Sequence, residues 1–217
     1  MNKHKMTTKE LTTLAMLTAI AYALVATVRI PIVLFLKYEP KDVVIAIGGF
    51  LYGPVSALLV STVVSFLEML TISDTGWIGM IMNILSTCSF ACTAAVIYKK
   101  KHSLFGAVLG LSIGVILMTA VMLGWNYILT PLYMNQNRAD VAAMLVPMFL
   151  PFNLIKGCLN AAITSLLYRP LVQGLRRAGL LPESKSAKAV SKVSKLLFYG
   201  GAVLLILASV AAVYLLK

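Results

Sequence analysis

Apolar runs longer than a soluble core requires dominate this sequence of 217 residues. They cover residues 11–28, 43–70, 104–130 and 196–216, and 60% of all residues are hydrophobic while 12% are charged. About 20 apolar residues are enough for a helix to cross the hydrocarbon core of a bilayer. The runs do not alternate with a period of two, as membrane strands do, so α-helices must satisfy their backbone polar groups. The sequence therefore predicts an all-α polytopic membrane protein.

Seven membrane helices are predicted, over residues 11–28, 42–52, 54–70, 77–98, 104–130, 151–168 and 196–216. The run 43–70 is divided at Gly53-Pro54, a turn signal. An undivided helix would place the cluster Lys99-Lys100-Lys101 outside the cell, whereas basic clusters of membrane proteins are usually on the cytoplasmic side. At ~1.5 Å per residue the second helix cannot cross the bilayer alone and must be sheltered by protein. The resulting organisation is a six-helix membrane domain over residues 1–178, a basic cytoplasmic linker over 179–195 and an extra helix over 196–217.

Positive charge is distributed unevenly about these helices, although the formal net charge is +12. One side of the membrane receives thirteen of the nineteen Lys and Arg residues: Lys3, Lys5, Lys9, Lys99, Lys100, Lys101, Arg169, Arg176, Arg177, Lys185, Lys188, Lys192 and Lys195. This asymmetry is typical of the cytoplasmic side. It predicts a multi-pass protein of the cell membrane with a cytoplasmic N-terminus, and it accounts for the basic charge without a nucleic-acid partner.

The sixth predicted helix carries polar residues on one face. Asn153, Lys156, Asn160 and Thr164 follow one another at spacings of three or four, so they share one side of a helix. An ionisable side chain costs roughly 2.5 to 3.5 kcal/mol at the centre of a membrane helix, and such residues usually face protein or water at a functional site. Lys156 is therefore the leading candidate for a site residue.

Further polar and aromatic residues fall near the same outer end of the helices. The amides and charges are Glu68, Asn83, Asn126, Asn153, Lys156 and Asn160, and the nearby rings are Phe35, Tyr38, Trp77, Trp125 and Tyr127. Amides donate and accept hydrogen bonds, and aromatic rings stack on flat molecules, so this set suits a planar, polar, largely uncharged ligand. The alternative is that the asparagines only join helices to one another.

Two outer segments separate these helices. Residues 29–42 are half apolar and half charged, and their prolines exclude a continuous helix. With Phe35 and Tyr38 at its turn, this segment is a candidate lid over the site; a loop resting in the lipid interface is the alternative. Residues 131–147 are predicted to form the largest outer loop.

Motifs for chemistry are missing from the sequence. It contains no phosphate-binding loop, no H-E-x-x-H and no G-x-S-x-G, so neither ATP hydrolysis nor a catalytic residue is predicted. Cys88, Cys92 and Cys158 lie in apolar runs without His or acidic neighbours, which favours packing over a metal site. Uphill transport by this chain would need an energy source on another protein.

Small residues recur every four positions in the first helix, at Ala15, Ala19 and Ala23. Such a surface allows another helix to approach closely. The sequence leaves open whether this helix belongs to the same chain or to a partner protein.

Five segments together resemble the substrate-binding S component of energy-coupling factor (ECF) vitamin transporters, in its riboflavin-specific branch. They are the alanine repeat of the first helix, Leu36-Lys37-Tyr38-Glu39-Pro40-Lys41-Asp42, Gly53-Pro54, Trp125-Asn126-Tyr127, and Pro151-Phe152-Asn153-Leu154-Ile155-Lys156-Gly157. The resemblance covers roughly residues 8–178. It implies a six-helix fold with a flavin pocket open to the outside, and the seventh helix departs from that pattern.

The resemblance also implies roles for particular residues. Asn126, Asn153 and Lys156 become contacts to a transported ligand, riboflavin or its phosphate FMN, and no resident cofactor is expected. Ala15 and Ala19 become the docking face for a membrane coupling (T) protein that works with two cytoplasmic ATPases in a bacterial cell membrane. Two other functions stay open: an S component for another vitamin or nucleobase-like solute, and an intramembrane enzyme acting on lipid head groups with Glu68 and Lys156 as acid and base.

Overall fold

The computed structural model describes residues 6–33, 36–180 and 192–215. Its elements in chain order are helix α1 (Thr8–Thr27), strands β1 (Ile30–Val33) and β2 (Leu36–Tyr38), then helices α2 (Lys41–Tyr52), α3 (Pro54–Thr71), α4 (Gly76–Lys100), α5 (Leu104–Met134) and α6 (Arg138–Met144), a π-helical turn (Leu145–Phe149), and helices α7 (Leu150–Arg177) and α8 (Lys192–Leu215). Within these residues, five helical runs are long and apolar enough to cross a membrane. The predicted all-α polytopic class is confirmed.

The predicted break in the second apolar run is present and has a clear backbone cause. Gly53 has φ 95°, a conformation that favours glycine, and Pro54 occupies the first turn of α3, where its missing N–H costs nothing. Helix α2 has 12 residues, and those from Lys41 to Phe50 are all buried. It packs against α1, α3, α4 and α7, so its short length is sheltered by protein as expected.

Close helix contacts surround α2 and α7. A Cβ atom on Gly49 would lie 3.1 Å from the Cβ atoms of both Ala57 and Ala95. A Cβ atom on Gly157 would lie 2.8 Å from a methyl carbon of Val115, which shows how tightly α7 lies against α5. Because glycine has no side chain, the polar face of α7 can approach its neighbours closely.

The segment between α1 and α2 forms a β-hairpin, which the sequence did not predict. Strands β1 and β2 pair antiparallel, with Ile30 opposite Tyr38 and an irregularity between Pro31 and Val33. Ile32 and Tyr38 are buried in a cluster with Phe152, Ile155 and Leu159 of α7. The prolines exclude a helix, as predicted, and strand pairing satisfies the backbone instead.

Helices α5 and α7 are longer than predicted, and this corrects two boundaries. Helix α5 continues through Pro131 to Met134, and most of the predicted outer loop 131–147 is helical, as α6 and the start of the π-helical turn. Helix α7 passes Pro170 and ends at Arg177, well beyond the predicted end at residue 168. Proline is tolerated within membrane helices because neighbouring groups satisfy the carbonyl it leaves unbonded. Pro131 and Pro170 therefore do not mark the ends of their helices.

The predicted seventh helix is present as α8 and packs along α7. Ile206, Ala212 and Val213 contact the cluster that joins the hairpin to α7. Its opposite side exposes large apolar residues such as Leu204 and Leu207, as a lipid-facing helix does. Residues 181–191, most of the predicted linker, lie outside the described part of the chain, and the division into domain, linker and extra helix stays a prediction.

Candidate functional site

A cavity of about 220 Å³ lies among the hairpin, the turn between α3 and α4, and helices α3, α4, α5 and α7. Its lining residues are Arg29, Leu36, Lys37, Glu39, Glu68, Ser73, Asp74, Thr75, Gly79, Met82, Asn83, Ser86, Met122, Asn126, Phe149, Phe152, Asn153 and Lys156. Polar groups from several helices therefore converge on one space. The cavity lies beneath the hairpin, which fits the predicted position of a lid.

Five of the predicted site residues line this cavity. They are Glu68 from α3, Asn83 from α4, Asn126 from α5, and Asn153 and Lys156 from α7. Helical spacing placed Asn153 and Lys156 on one face of α7, and the packing of the four helices brings them to the same cavity as Glu68, Asn83 and Asn126. Asn160, the fourth amide of the predicted set, does not line the cavity.

The two central amides are anchored to their own helices. The side-chain nitrogen of Asn126 donates to the Met122 carbonyl at 2.7 Å, and that of Asn153 donates to the Phe149 carbonyl at 2.8 Å. The Asn126 side-chain carbonyl also accepts a hydrogen bond from the Thr130 hydroxyl at 3.0 Å. These contacts fix the orientation of both side chains before any ligand binds.

Lys156 is only 7% exposed and lies beside an acid that the sequence did not pair with it. Its ammonium nitrogen is 3.4 Å from a carboxylate oxygen of Asp42, at the start of α2. That distance gives an ion pair longer than an ordinary N–H···O hydrogen bond. Asp42 therefore compensates the buried charge while Lys156 still lines the cavity.

Asp42 joins three helices although it does not line the cavity. It is completely buried and accepts hydrogen bonds from the Thr87 hydroxyl of α4 at 2.6 Å and from the side-chain nitrogen of Asn160 of α7 at 3.1 Å. The side-chain carbonyl of Asn160 in turn accepts a hydrogen bond from Tyr38. Asn160 and Tyr38 thus belong to a supporting network behind the cavity wall.

A second set of ion pairs contributes Arg29, Glu39 and Glu68 to the cavity wall. Glu68 pairs with Arg29 at 3.2 Å and is hydrogen-bonded to Lys41, while Glu39 pairs with Arg29 at 3.4 Å and with Lys41 at 3.0 Å. Of these four residues, Lys41 is fully buried. Of these four residues, only Glu68 was predicted for the site from the sequence. The sequence signal that could have identified the other three was the high density of charged residues in the half-apolar segment 29–42.

The aromatic residues that line the cavity are not the predicted ones. Trp77 is 65% exposed, and neither Trp77 nor Trp125 lines the cavity. Tyr38 is buried against α7, where burial and the nearby Asp42 raise the pKa of its phenol well above the usual range. Phe35 lies outside the described residues. The rings that line the cavity are Phe149 and Phe152, which sequence reasoning did not select.

Ser86 is another lining residue that the sequence did not reveal. It is 3% exposed, and within the described part of the chain its hydroxyl oxygen is buried without a hydrogen-bond partner. A buried hydroxyl usually has such a partner, so Ser86 adds to the cavity wall a polar group whose partner the described residues do not supply. Among the same residues, no group of three or more His, Cys, Asp and Glu side chains could hold a metal ion.

The alanines of α1 lie away from the cavity. Leu17, Ala21 and Val25 face the core, whereas Ala15, Ala19 and Ala23 are exposed. The helices that α1 contacts within the described chain, α2 and α3, therefore leave the alanine face uncovered.

Residues 9–168 match the family model for the substrate-specific component of ECF transporters. The chain belongs to this family. The S component is 37% identical over 179 residues to riboflavin transporter RibU of Staphylococcus aureus, covering 78% of this chain and 93% of that protein. It is 30% identical over 176 residues to riboflavin transporter RibU of Streptococcus thermophilus, covering 76% and 83% of the two chains. Riboflavin transporter FmnP of Bacillus subtilis is 27% identical over 188 residues, which cover 80% of this chain and 98% of that protein.

A solved structure supports the same assignment. The S component of a bacterial ECF transporter superposes with a TM-score of 0.66 and 35% sequence identity, covering 77% of this chain and 97% of that chain. Helix α8 lies beyond the residues that match the family model.

Proposed function

We propose that this S component binds riboflavin from outside the cell and delivers it for import. The observation that carries the proposal is the convergence of Glu68, Asn83, Asn126, Asn153 and Lys156 on one cavity beneath the hairpin. The three relatives described above are named as riboflavin transporters. Riboflavin is planar and polar without a net charge, the ligand class that the sequence predicted.

The lining residues supply the groups that a flavin needs. Amide side chains can both donate to ring carbonyls and accept from the ring N–H, and the Lys156 ammonium can donate to a carbonyl or a ribityl hydroxyl. Phe149 and Phe152 offer apolar surface to the ring system. The Ser86 hydroxyl supplies a further donor or acceptor within the same wall.

In this proposal, partner proteins supply the energy for import. The sequence contains no nucleotide-binding motif, so a membrane coupling protein and two cytoplasmic ATPases would drive import. The exposed face of Ala15, Ala19 and Ala23 would dock on the coupling protein because small residues permit close helix contact. The N-terminus would lie in the cytoplasm, as charge asymmetry indicates.

The charges in the cavity favour binding over catalysis. Glu68 is paired with Arg29 and Lys41, and Lys156 is paired with Asp42. Both carboxylate oxygens of Glu68 are engaged by these cations, so neither is free to contact a substrate as a catalytic acid would. We therefore propose that the chain is not an enzyme, and that lipid head-group chemistry is not its function.

Binding can be tested directly with the purified full-length protein. We expect a yellow preparation and a stoichiometric quench of flavin fluorescence on titration, with a dissociation constant near nanomolar, which corresponds to about 12 kcal/mol. Other vitamins and nucleobases should fail to displace riboflavin. Displacement by one of them at lower concentration than riboflavin would instead assign the S component to that solute.

A further inference from the structure

The charges around the cavity are matched in number and paired in space. Three cations, Arg29, Lys41 and Lys156, are linked by ion pairs to three anions, Glu39, Glu68 and Asp42. The two other charged lining residues, Lys37 and Asp74, are exposed and of opposite sign. The lining and its ionic partners therefore carry no formal net charge.

Within this arrangement, Asp42 has a special position. The other two acids form one group with Arg29 and Lys41, whereas Lys156 has its ion pair with Asp42. Asp42 is completely buried behind the wall, so no ligand in the cavity can replace it by direct contact. The net charge that a ligand meets at Lys156 thus depends on a residue that it does not touch.

We infer that Asp42 determines the preference of this S component for uncharged riboflavin over the phosphate monoester FMN. A phosphate monoester carries about two negative charges at neutral pH. Removing an unpaired charge from water costs a large free energy. A cavity without net charge offers the phosphate little Coulombic attraction to offset that cost. Without Asp42, the Lys156 charge would be uncompensated and would attract the anion.

This inference rests on the proposed function, since it concerns which flavin the same cavity selects. It assigns Asp42 a role in specificity through the charge of Lys156, so it is separable from the support that Asp42 gives to Asn160 and Thr87. Loss of that support alone would weaken both flavins together. Loss of charge compensation would change their ratio.

The experiment measures dissociation constants of riboflavin and FMN by flavin fluorescence with full-length protein. The readout is the ratio of the FMN constant to the riboflavin constant, which we expect to exceed one in the wild type. Asp42→Asn should lower this ratio by about tenfold, and Lys156→Gln should raise it, because each leaves one uncompensated charge of opposite sign. The double variant should restore the wild-type ratio.

Asp140→Asn is the matched control. It makes the same change in net charge at an exposed position of α6 that does not line the cavity, so it should leave the ratio unchanged. If Asp42→Asn fails to fold, Lys156→Gln decides, and an unchanged ratio in that variant overturns the inference. The inference is also overturned, while the proposed function stands, if the wild type binds both flavins equally or if Asp42→Asn has the same ratio as the control. A wild type that binds neither flavin overturns the proposed function and the inference with it.

Discussion

The phenol of Tyr38 donates a 3.0 Å hydrogen bond to the side-chain carbonyl of Asn160, and this contact ties the outer hairpin to α7. Both residues are buried, and Asn160 also donates to Asp42, the ion-pair partner of Lys156. The hairpin above the cavity is therefore linked to the cavity wall by a continuous chain of polar contacts. Disturbing one member should be detectable at the others.

Removing the Tyr38 hydroxyl tests this link. Tyr38→Phe keeps the ring in its apolar cluster and leaves the Asn160 carbonyl without that donor, at a cost of about 1 to 3 kcal/mol. We expect a several-fold faster dissociation of riboflavin, measured by stopped-flow fluorescence after mixing with excess competitor. Tyr127→Phe, at an exposed position outside the cavity lining, is the control. Equal rates for both variants would show that the hairpin is held by its apolar contacts alone.

Shortening Lys156 should damage the binding site and leave the fold intact. Lys156→Ala removes the ammonium that lines the cavity, and we expect riboflavin affinity to fall more than about tenfold, the equivalent of 1.4 kcal/mol. Titration by fluorescence quenching gives the affinity, and gel filtration in detergent checks the folded state. Lys100→Ala, at the exposed C-terminal end of α4, should bind like the wild type. Undiminished affinity in Lys156→Ala would remove this residue from the site.

Bulky residues on the alanine face should separate uptake from binding. The double variant Ala15→Trp with Ala19→Trp places large side chains on an exposed face far from the cavity. We expect loss of riboflavin uptake by cells, because the coupling protein can no longer approach, and unchanged binding by purified protein. Ile116→Trp, on the exposed side of α5, controls for tryptophan at a lipid-facing site. Normal uptake by the double variant would place docking elsewhere.

The close contact of α7 with α5 should make Gly157 sensitive to one methyl group. A Cβ atom there would lie 2.8 Å from Val115 and 3.1 Å from Met118. Overpacking of this kind typically costs 1 to 3 kcal/mol, so Gly157→Ala should lower the thermal unfolding temperature in detergent by several degrees. Gly124→Ala is matched, because a Cβ atom at Gly124 meets nothing within 4 Å. Similar unfolding temperatures for the two variants would contradict the close packing of α5 and α7.

Helix α8 should stabilise the hairpin that covers the cavity. Ile206 and Val213 pack against the cluster that contains Ile32, Tyr38 and Phe152, and Phe152 also lines the cavity. Truncating both residues to Ala should destabilise this cluster and accelerate riboflavin release, measured as for Tyr38→Phe. The control truncates Leu204 and Leu207, which are exposed on α8. If both double variants release riboflavin at the wild-type rate, α8 has no part in covering the site.

Several features of this protein follow from the sequence alone. The membrane class, the break at Gly53-Pro54 and the polar face of α7 were all predicted, because hydrophobicity, backbone preference and helical spacing are local properties. Charge asymmetry then predicted how the helices alternate across the membrane, and residue identities indicated the family. The prediction that Asn126 joins Asn153 and Lys156 followed from the position of all three near the outer ends of their helices and from the family resemblance, because polar residues in a membrane usually face protein or water.

Tertiary structure decided which partners these residues meet. The pairing of Lys156 with Asp42 joins residues far apart in the chain, and it depends on how α2 and α7 are rotated about their axes. The packing of α4 leaves Trp77 exposed, and the packing of the π-helical turn and α7 places Phe149 and Phe152 in the cavity lining. Sequence spacing shows which residues share a helix face, but packing against the other helices determines where that face points.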